Sequence, residues 1–191
     1  MSESVGVNTS AHPESLLSHR ILIVVGFAVG AVLGFGGNFL PAGPPQNIVY
    51  VFSSLGIIVG SALFAAWFAR QGKSIVAVGF ALLALAESIS LPGLFLVASA
   101  PTFPAAYTFA AGVALYAVAL PLVSAPPAFP IWTRIVGVLA AIPFAVHALL
   151  WLLGRSPAPE GPFASIGYVL LIVTIVGWII TALRAAPSSQ R

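Results

Sequence analysis

Two ionisable side chains lie deep inside apolar stretches of this sequence, and they are the residues best placed to do chemistry. Glu87 falls within residues 73–91, a stretch long enough to cross a bilayer as one helix, and His147 falls within residues 131–153. A carboxylate at membrane depth costs several kcal/mol unless it is paired, protonated or hydrated. The sequence therefore predicts that the surrounding helices shelter Glu87.

The spacing of these two residues places them at the same depth. Glu87 follows Lys73 by fourteen positions and His147 follows Arg134 by thirteen, so both lie about 20 Å along a helix from a basic residue. Ser90 shares a helix face with Glu87 at the i+3 position. We therefore predict a polar site formed by Glu87, His147 and Ser90, with a direct contact between Glu87 and His147.

Two roles for this site remain open at the level of the sequence. Glu87 and His147 could form a hydrogen-bonded pair that only holds helices in register. Alternatively, Glu87 could bind and release protons with the imidazole as its relay partner, because ionisable groups inside membranes often mark proton or substrate paths. One histidine and one carboxylate are an incomplete metal set, and a second membrane-depth histidine for haem is missing. We predict no metal and no cofactor.

Composition determines the class of protein that must hold these side chains. Hydrophobic residues make up 60% of the 191 residues, charged residues make up 6%, and the mean hydropathy is +1.09. Such a chain is a polytopic membrane protein. We predict an all-α integral membrane protein whose six transmembrane helices form three antiparallel helical hairpins. The predicted divisions are a disordered cytoplasmic tail over 1–18, the transmembrane domain over 19–185 and a cytoplasmic tail over 186–191.

The predicted membrane spans are separated by short loops rich in glycine and proline. They cover residues 21–39, 48–69, 73–91, 105–124, 131–153 and 163–183. The third span either stops near Pro92 or kinks there and continues to about residue 98. Because each span needs roughly 20 residues, the chain has room for six spans and for no separate soluble domain.

Glycines recur every four residues in the first two spans. Gly26, Gly30 and Gly34 form one stripe, and Gly56 and Gly60 repeat the spacing. Small residues at this spacing let two helix backbones approach closely. The pattern predicts a tight pairing of spans one and two, and homodimerisation through the same stripe is the alternative.

The basic residues predict an orientation, because loops rich in lysine and arginine remain in the cytoplasm. With the N-terminus inside, six basic residues are cytoplasmic and only Arg155 is outside. The six are Arg20, Arg70, Lys73, Arg134, Arg184 and Arg191. Both termini are therefore predicted to be cytoplasmic. One lysine against six arginines favours a GC-rich bacterial source, and hence the bacterial inner membrane.

Tryptophan and tyrosine residues near the ends of the spans are predicted to anchor the helices at the membrane surfaces. Those near inner ends are Trp67, Trp132 and Trp178, and those near outer ends are Tyr50, Tyr107, Trp151 and Tyr168. This interpretation needs no ligand for any of them.

The known catalytic motifs are missing from the sequence. It contains no P-loop, no HExxH, no GxSxG and no cysteine, and its single lysine, Lys73, lies at the end of a span, where it could not form a retinal Schiff base at membrane depth. The net charge of +3 is too small to favour nucleic acid. We expect a non-enzymatic accessory subunit or an apolar-ligand-binding bundle, with bilayer lipid, other membrane-protein subunits or further copies of the chain as partners. The alternative is a small proton-coupled carrier for a small or amphiphilic solute that uses Glu87 and His147.

Overall fold

The computed structural model describes residues 13–99, 103–155 and 162–184, and the regular secondary structure in these ranges is entirely α-helical. The six helices are α1 (Pro13–Gly37), α2 (Pro44–Arg70), α3 (Ser74–Ser99), α4 (Phe103–Ser124), α5 (Ile131–Leu152) and α6 (Pro162–Arg184). Each contains a segment of 18 to 27 residues that is long and apolar enough to cross a membrane. The described residues thus form an all-helical fold with six candidate membrane spans, as the composition predicts.

The first helix begins earlier than predicted. α1 starts at Pro13, so residues 13–18, which were predicted to be part of a disordered tail, are helical. Proline suits the first turn of a helix because the amide hydrogen that it lacks has no partner there. The remainder of that tail, residues 1–12, and the predicted C-terminal tail, residues 186–191, lie outside the described residues.

The third helix continues through its proline. α3 passes Pro92 and ends at Ser99, so of the two predicted alternatives the longer helix is the one observed. Proline cannot donate a hydrogen bond to the carbonyl group four residues earlier, which here belongs to Ser88. One backbone acceptor is therefore left without its helical partner one residue beyond Glu87.

The helices form a closed ring. Among the described helices, each one packs against its neighbours in the chain, and α1 also packs against α6. α3 consequently contacts α2 and α4, whereas α5 contacts α4 and α6. This order means that Glu87 on α3 and His147 on α5 belong to helices that are not adjacent.

α1 and α2 pack together along their glycines. A Cβ atom placed on Gly56 would lie 2.5 Å from the carbonyl oxygen of Gly26 and 2.8 Å from the amide nitrogen of Gly30. A Cβ on Gly26 would lie 3.0 Å from the amide nitrogen of Gly60. The two backbones are therefore too close for any side chain, and in this structure the stripe serves contact within one chain.

Aromatic rings fill the interior toward one end of the ring. This aromatic cluster consists of Phe27, Phe64, Phe68, Phe80, Phe129 and Trp178. Its rings come from α1, α2, α3, α6 and the turn between α4 and α5, with centroids 4.9 to 6.4 Å apart. Lys73 lies over the Phe68 ring, 5.5 Å from its centroid, so the cluster lies near the basic end of the bundle.

The position of Trp178 corrects one prediction. Its side chain is 0% exposed and contacts Phe27 and Phe80, so it is a core residue and not a surface anchor. A sequence position near the end of a span does not show which way the side chain faces. Trp151 is also buried, at 6% exposure, and the same correction applies to it.

Candidate functional site

The carboxyl group of Glu87 is bound by a serine of the neighbouring helix. Ser54 of α2 donates its hydroxyl hydrogen to Oε1 of Glu87. Ser54 is buried and Glu87 is partly buried, so the bond lies within the contact between α2 and α3. This contact fixes the position of the carboxyl group from both helices.

Ser53, the residue before Ser54, contacts a second hydroxyl group, that of Tyr168. Ser53 is buried and donates to the carbonyl oxygen of Gly30 on α1, at 2.7 Å. It also forms a side-chain hydrogen bond with Tyr168 of α6. A serine hydroxyl has one hydrogen, which Ser53 gives to Gly30, so Tyr168 is the donor in this second bond.

A missing side chain makes room for Tyr168. A Cβ atom on Gly34 would lie 1.6 Å from the hydroxyl oxygen of Tyr168 and 2.6 Å from Oγ of Ser53. Any residue larger than glycine at this position would occupy the space of the tyrosine hydroxyl. Gly34 therefore lets a side chain from α6 reach across α1 to α2, and Tyr168 is an interior residue here, although we predicted that it anchors the helix at the membrane surface.

The side chains of Glu87 and Tyr168 interact electrostatically. The Tyr168 hydroxyl interacts with the Glu87 carboxyl and with Tyr50. Among the described residues, the hydrogen-bond partner of the Glu87 carboxyl group is Ser54.

Polar side chains continue from this site toward the turn between α1 and α2. The Tyr50 hydroxyl donates to Oδ1 of Asn38 at 3.2 Å and accepts from Nε2 of Gln46 at 3.3 Å. Gln46 also donates to the carbonyl oxygen of Gly37 at 3.1 Å. We use the name polar track for the set Asn38, Gln46, Tyr50, Tyr168, Ser53, Ser54 and Glu87. It reaches from the end of the bundle opposite the aromatic cluster to the carboxyl group.

No basic side chain among the described residues approaches Glu87. Lys73, on the N-terminal side of the same helix, is fourteen positions away, or about 21 Å along the axis. On α2 the titratable side chains are Tyr50 and Arg70, and Arg70 is at the far end of that helix. On α4 they are Tyr107 and Tyr116, and the Tyr116 ring stacks on Phe144 of α5. The hydrogen-bonding and electrostatic partners of the carboxyl group are therefore hydroxyl groups.

His147 belongs to a different group of side chains. It is 0% exposed, and its Nε2 accepts a hydrogen bond from Nε1 of Trp151 at 3.1 Å. The ring of Phe109 on α4 meets the imidazole edge to face, with centroids 5.9 Å apart. Nδ1 has no hydrogen-bond partner. Since Nε2 is an acceptor, the neutral imidazole carries its hydrogen on Nδ1.

The predicted contact between Glu87 and His147 is not formed. Glu87 bonds to Ser54 and His147 bonds to Trp151, and α4 lies between α3 and α5 in the ring. Equal depth in the membrane was the basis for the prediction, but depth does not fix the order of helices around a bundle. The structure therefore separates the two ionisable residues.

Ser90 also faces away from the Glu87 site. Its Oγ is buried without a hydrogen-bond partner, and a Cβ on Gly112 of α4 would lie 2.2 Å from it. Three helical positions turn a side chain by about 60° around the axis, enough to move it from the α2 side of α3 to the α4 side. Ser90 is thus part of the contact between α3 and α4.

A metal site is not apparent in the part of the chain that the structure describes. Within those residues, no group of three or more histidine, aspartate or glutamate side chains could hold a metal ion. The chemistry available around Glu87 is that of oxygen atoms exchanging protons.

No protein-family model, curated protein or solved structure matches this chain.

Ser54 and Tyr168 were not predicted to belong to the site, and only Ser54 could have been identified from its position in the sequence. Ser54 lies sixteen positions before Arg70, about 24 Å along α2, and Glu87 lies about 21 Å beyond Lys73. Ser54 therefore lies at about the same depth as Glu87, as His147 does. Tyr168 left no comparable signal, because its contact depends on the packing of α6 against Gly34.

Proposed function

We propose that this protein is a small proton-coupled carrier of the bacterial inner membrane in which Glu87 is the proton-binding residue. The six helices form three antiparallel hairpins with both termini in the cytoplasm, because this orientation leaves six of seven basic residues inside. His147 has no part in proton coupling, since it bonds to Trp151 on another part of the ring.

The observation that carries this proposal is a carboxyl group inside the bundle that has a hydroxyl hydrogen-bond donor and no basic partner among the described residues. Ser54 donates to Oε1 of Glu87, and either protonation state of the carboxyl group can accept this bond. No positive charge compensates a carboxylate at this position, so the surroundings favour the protonated, neutral acid.

Electrostatics favour the same state. An isolated carboxylate in an apolar interior costs several kcal/mol, and the described residues offer no lysine, arginine or histidine to offset that cost. A bound proton removes the charge. The empty site therefore favours a bound proton at neutral pH, and a cation that takes the place of that proton lowers the cost of ionisation.

The two ends of the bundle give this exchange a direction. The polar track connects Glu87 with the turn between α1 and α2, which is on the outer side in the proposed orientation. The aromatic cluster fills the interior on the cytoplasmic side. Protons consequently reach Glu87 from outside in this conformation, and a carrier must rearrange the aromatic cluster to release them inside.

Infrared spectroscopy tests the proposal on a chain with a single side-chain carboxyl group. The sequence has four acidic residues, all glutamate, so the variant with Glu3, Glu14 and Glu160 changed to Gln retains only Glu87. Difference spectra between high and low pH, recorded in lipid, should contain the carbonyl band of a protonated carboxylic acid. The additional change Glu87→Gln should remove this band.

The opposite result would favour the other function. If the carboxyl band does not change over about pH 5 to 9, Glu87 does not exchange protons in the range where a carrier works. The Ser54–Glu87 bond would then be a link between helices, and the protein would be a non-enzymatic accessory subunit or apolar-ligand bundle. Purification from native membrane with its bound proteins and lipids would be the next measurement.

A further inference from the structure

We propose that the ligand exchanged at Glu87 is a monovalent organic cation that carries apolar groups. This inference rests on the proposed function, because it assumes that Glu87 binds a proton that a ligand can replace. It adds the charge, the chemical class and the side of entry of that ligand.

Charge balance determines the sign and magnitude of the ligand charge. The protonated site is neutral, since the described residues around Glu87 contribute hydroxyl groups and no charge. A monovalent cation that enters while the proton leaves keeps the site neutral: the acid and the cation give the carboxylate, the bound cation and one free proton. An anion or a neutral ligand that displaced the proton would leave an uncompensated carboxylate inside the bundle.

The small number of oxygen ligands argues against an inorganic cation. Hard metal ions need about six or more oxygen ligands or retained waters in place of their hydration shell. Around Glu87 the side chains offer the carboxylate and the Ser54 hydroxyl, whereas Ser53 is already bonded to Gly30 and Tyr168. This set is too small to replace the water around a strongly hydrated ion. A weakly hydrated organic cation needs no such shell.

Tyrosine rings in the polar track suit such a cation. Tyr50 and Tyr168 both belong to the track, and the faces of aromatic rings attract organic cations through their quadrupoles. The helices around the site are otherwise apolar, so the organic groups of the ligand have apolar side chains to contact. The ligand enters along the polar track, because the aromatic cluster fills the other end.

Two probes of the same shape and opposite charge provide the test. Tetraphenylphosphonium and tetraphenylborate are similar in size and apolarity, so any difference between them reports charge. Binding is measured by equilibrium dialysis against the purified protein in detergent, with protein-free micelles as the background. Proton release is measured with a pH electrode in a weakly buffered sample of the same preparation.

We expect the phosphonium to bind with release of about one proton per bound cation near neutral pH. The borate should show at least tenfold weaker binding and no proton release. Glu87→Gln should lose the proton release, whereas Glu14→Gln, the same chemical change outside the apolar spans, should behave as wild type. Tyr168→Phe, which keeps the ring, should retain more phosphonium binding than Tyr168→Leu.

Three results would overturn the inference. Equal binding of borate and phosphonium to the wild-type protein would show an apolar site without charge recognition, and this comparison needs no variant. Release of the proton by sodium chloride alone would indicate an inorganic cation. Absence of phosphonium binding from a protein whose Glu87 infrared band still titrates would reject the ligand class and leave the proton-binding function intact.

Discussion

Ser54 and Glu87 form a hydrogen bond that joins α2 to α3 inside the bundle, with the serine as the donor. Neither residue has a charged partner among the described residues. The bond can therefore form in both protonation states of the Glu87 carboxyl group, because either state can accept a hydrogen bond at Oε1. Its contribution to stability and its effect on the carboxyl group can be measured separately.

The change Ser54→Ala should lower the free energy of unfolding by about 1 kcal/mol, because it removes a buried donor and leaves Glu87 with one partner fewer. Ser88→Ala is the matched control. Ser88 is exposed on the same helix as Glu87 and bonds to the carbonyl oxygen of Ala84 at 2.8 Å. The control should change stability by less than about 0.5 kcal/mol. Equal losses from both variants, measured by reversible unfolding in mixed micelles, would show that the helix contact does not depend on this bond.

The changes Glu87→Gln and His147→Gln should have additive effects on stability. The two side chains belong to separate hydrogen-bonded groups on helices that do not touch, so their double-mutant cycle should close to within about 0.5 kcal/mol. A larger coupling would mean that the two residues share a site after all. His147→Gln combined with Trp151→Phe is the positive control, because these two residues are bonded directly.

The change Gly56→Ala should reduce stability by about 2 kcal/mol, since its Cβ would meet backbone atoms of Gly26 and Gly30 that cannot rotate away. Gly36→Ala is the control on α1. A Cβ at Gly36 meets nothing within 4 Å, so this variant should be neutral or gain up to about 1 kcal/mol from helix propensity. If Gly56→Ala instead leaves the monomer stable and removes a dimer in size-exclusion chromatography, the stripe serves association between chains.

The proposed orientation predicts the behaviour of fusion reporters. A reporter that is active only outside the cytoplasm should give no signal when fused after Arg191, and a cytoplasmic reporter at the same position should be active. Fusion in the turn near Gly43, between α1 and α2, should give the reverse pattern. Outside activity at the C-terminus would invert the bundle and place the entrance of the polar track in the cytoplasm.

The number of helices could be predicted from the sequence because it depends on composition and length alone. A span of about 20 apolar residues is recognisable without knowledge of its neighbours, and the glycine spacing likewise indicated close contact of α1 with α2. The start of α1 at Pro13 was missed, since a polar stretch next to a span can be helical without being apolar.

The partner of Glu87 could not be predicted from the sequence. The position of a residue in a span indicates its depth in the membrane, but it does not indicate the direction in which its side chain points within the bundle. Glu87, His147 and Ser54 lie at about the same depth, so depth alone does not identify the partner of Glu87. Tyr168 reaches the site only because Gly34 lacks a side chain, and this depends on how α6 packs against α1. This contact therefore depends on the packing of the complete ring of helices and cannot be derived from one helix alone.

The infrared spectrum of Glu87 in the presence and absence of Ser54 tests the central claim most directly. In the variant whose only side-chain carboxyl group is Glu87, the band of the protonated acid should be present at neutral pH. Adding Ser54→Ala should move it to higher frequency, because a hydrogen bond to the carbonyl oxygen weakens the C=O bond. A band that does not move, or a carboxyl group that is fully ionised at neutral pH, would contradict a protonated Glu87 that accepts a hydrogen bond from Ser54.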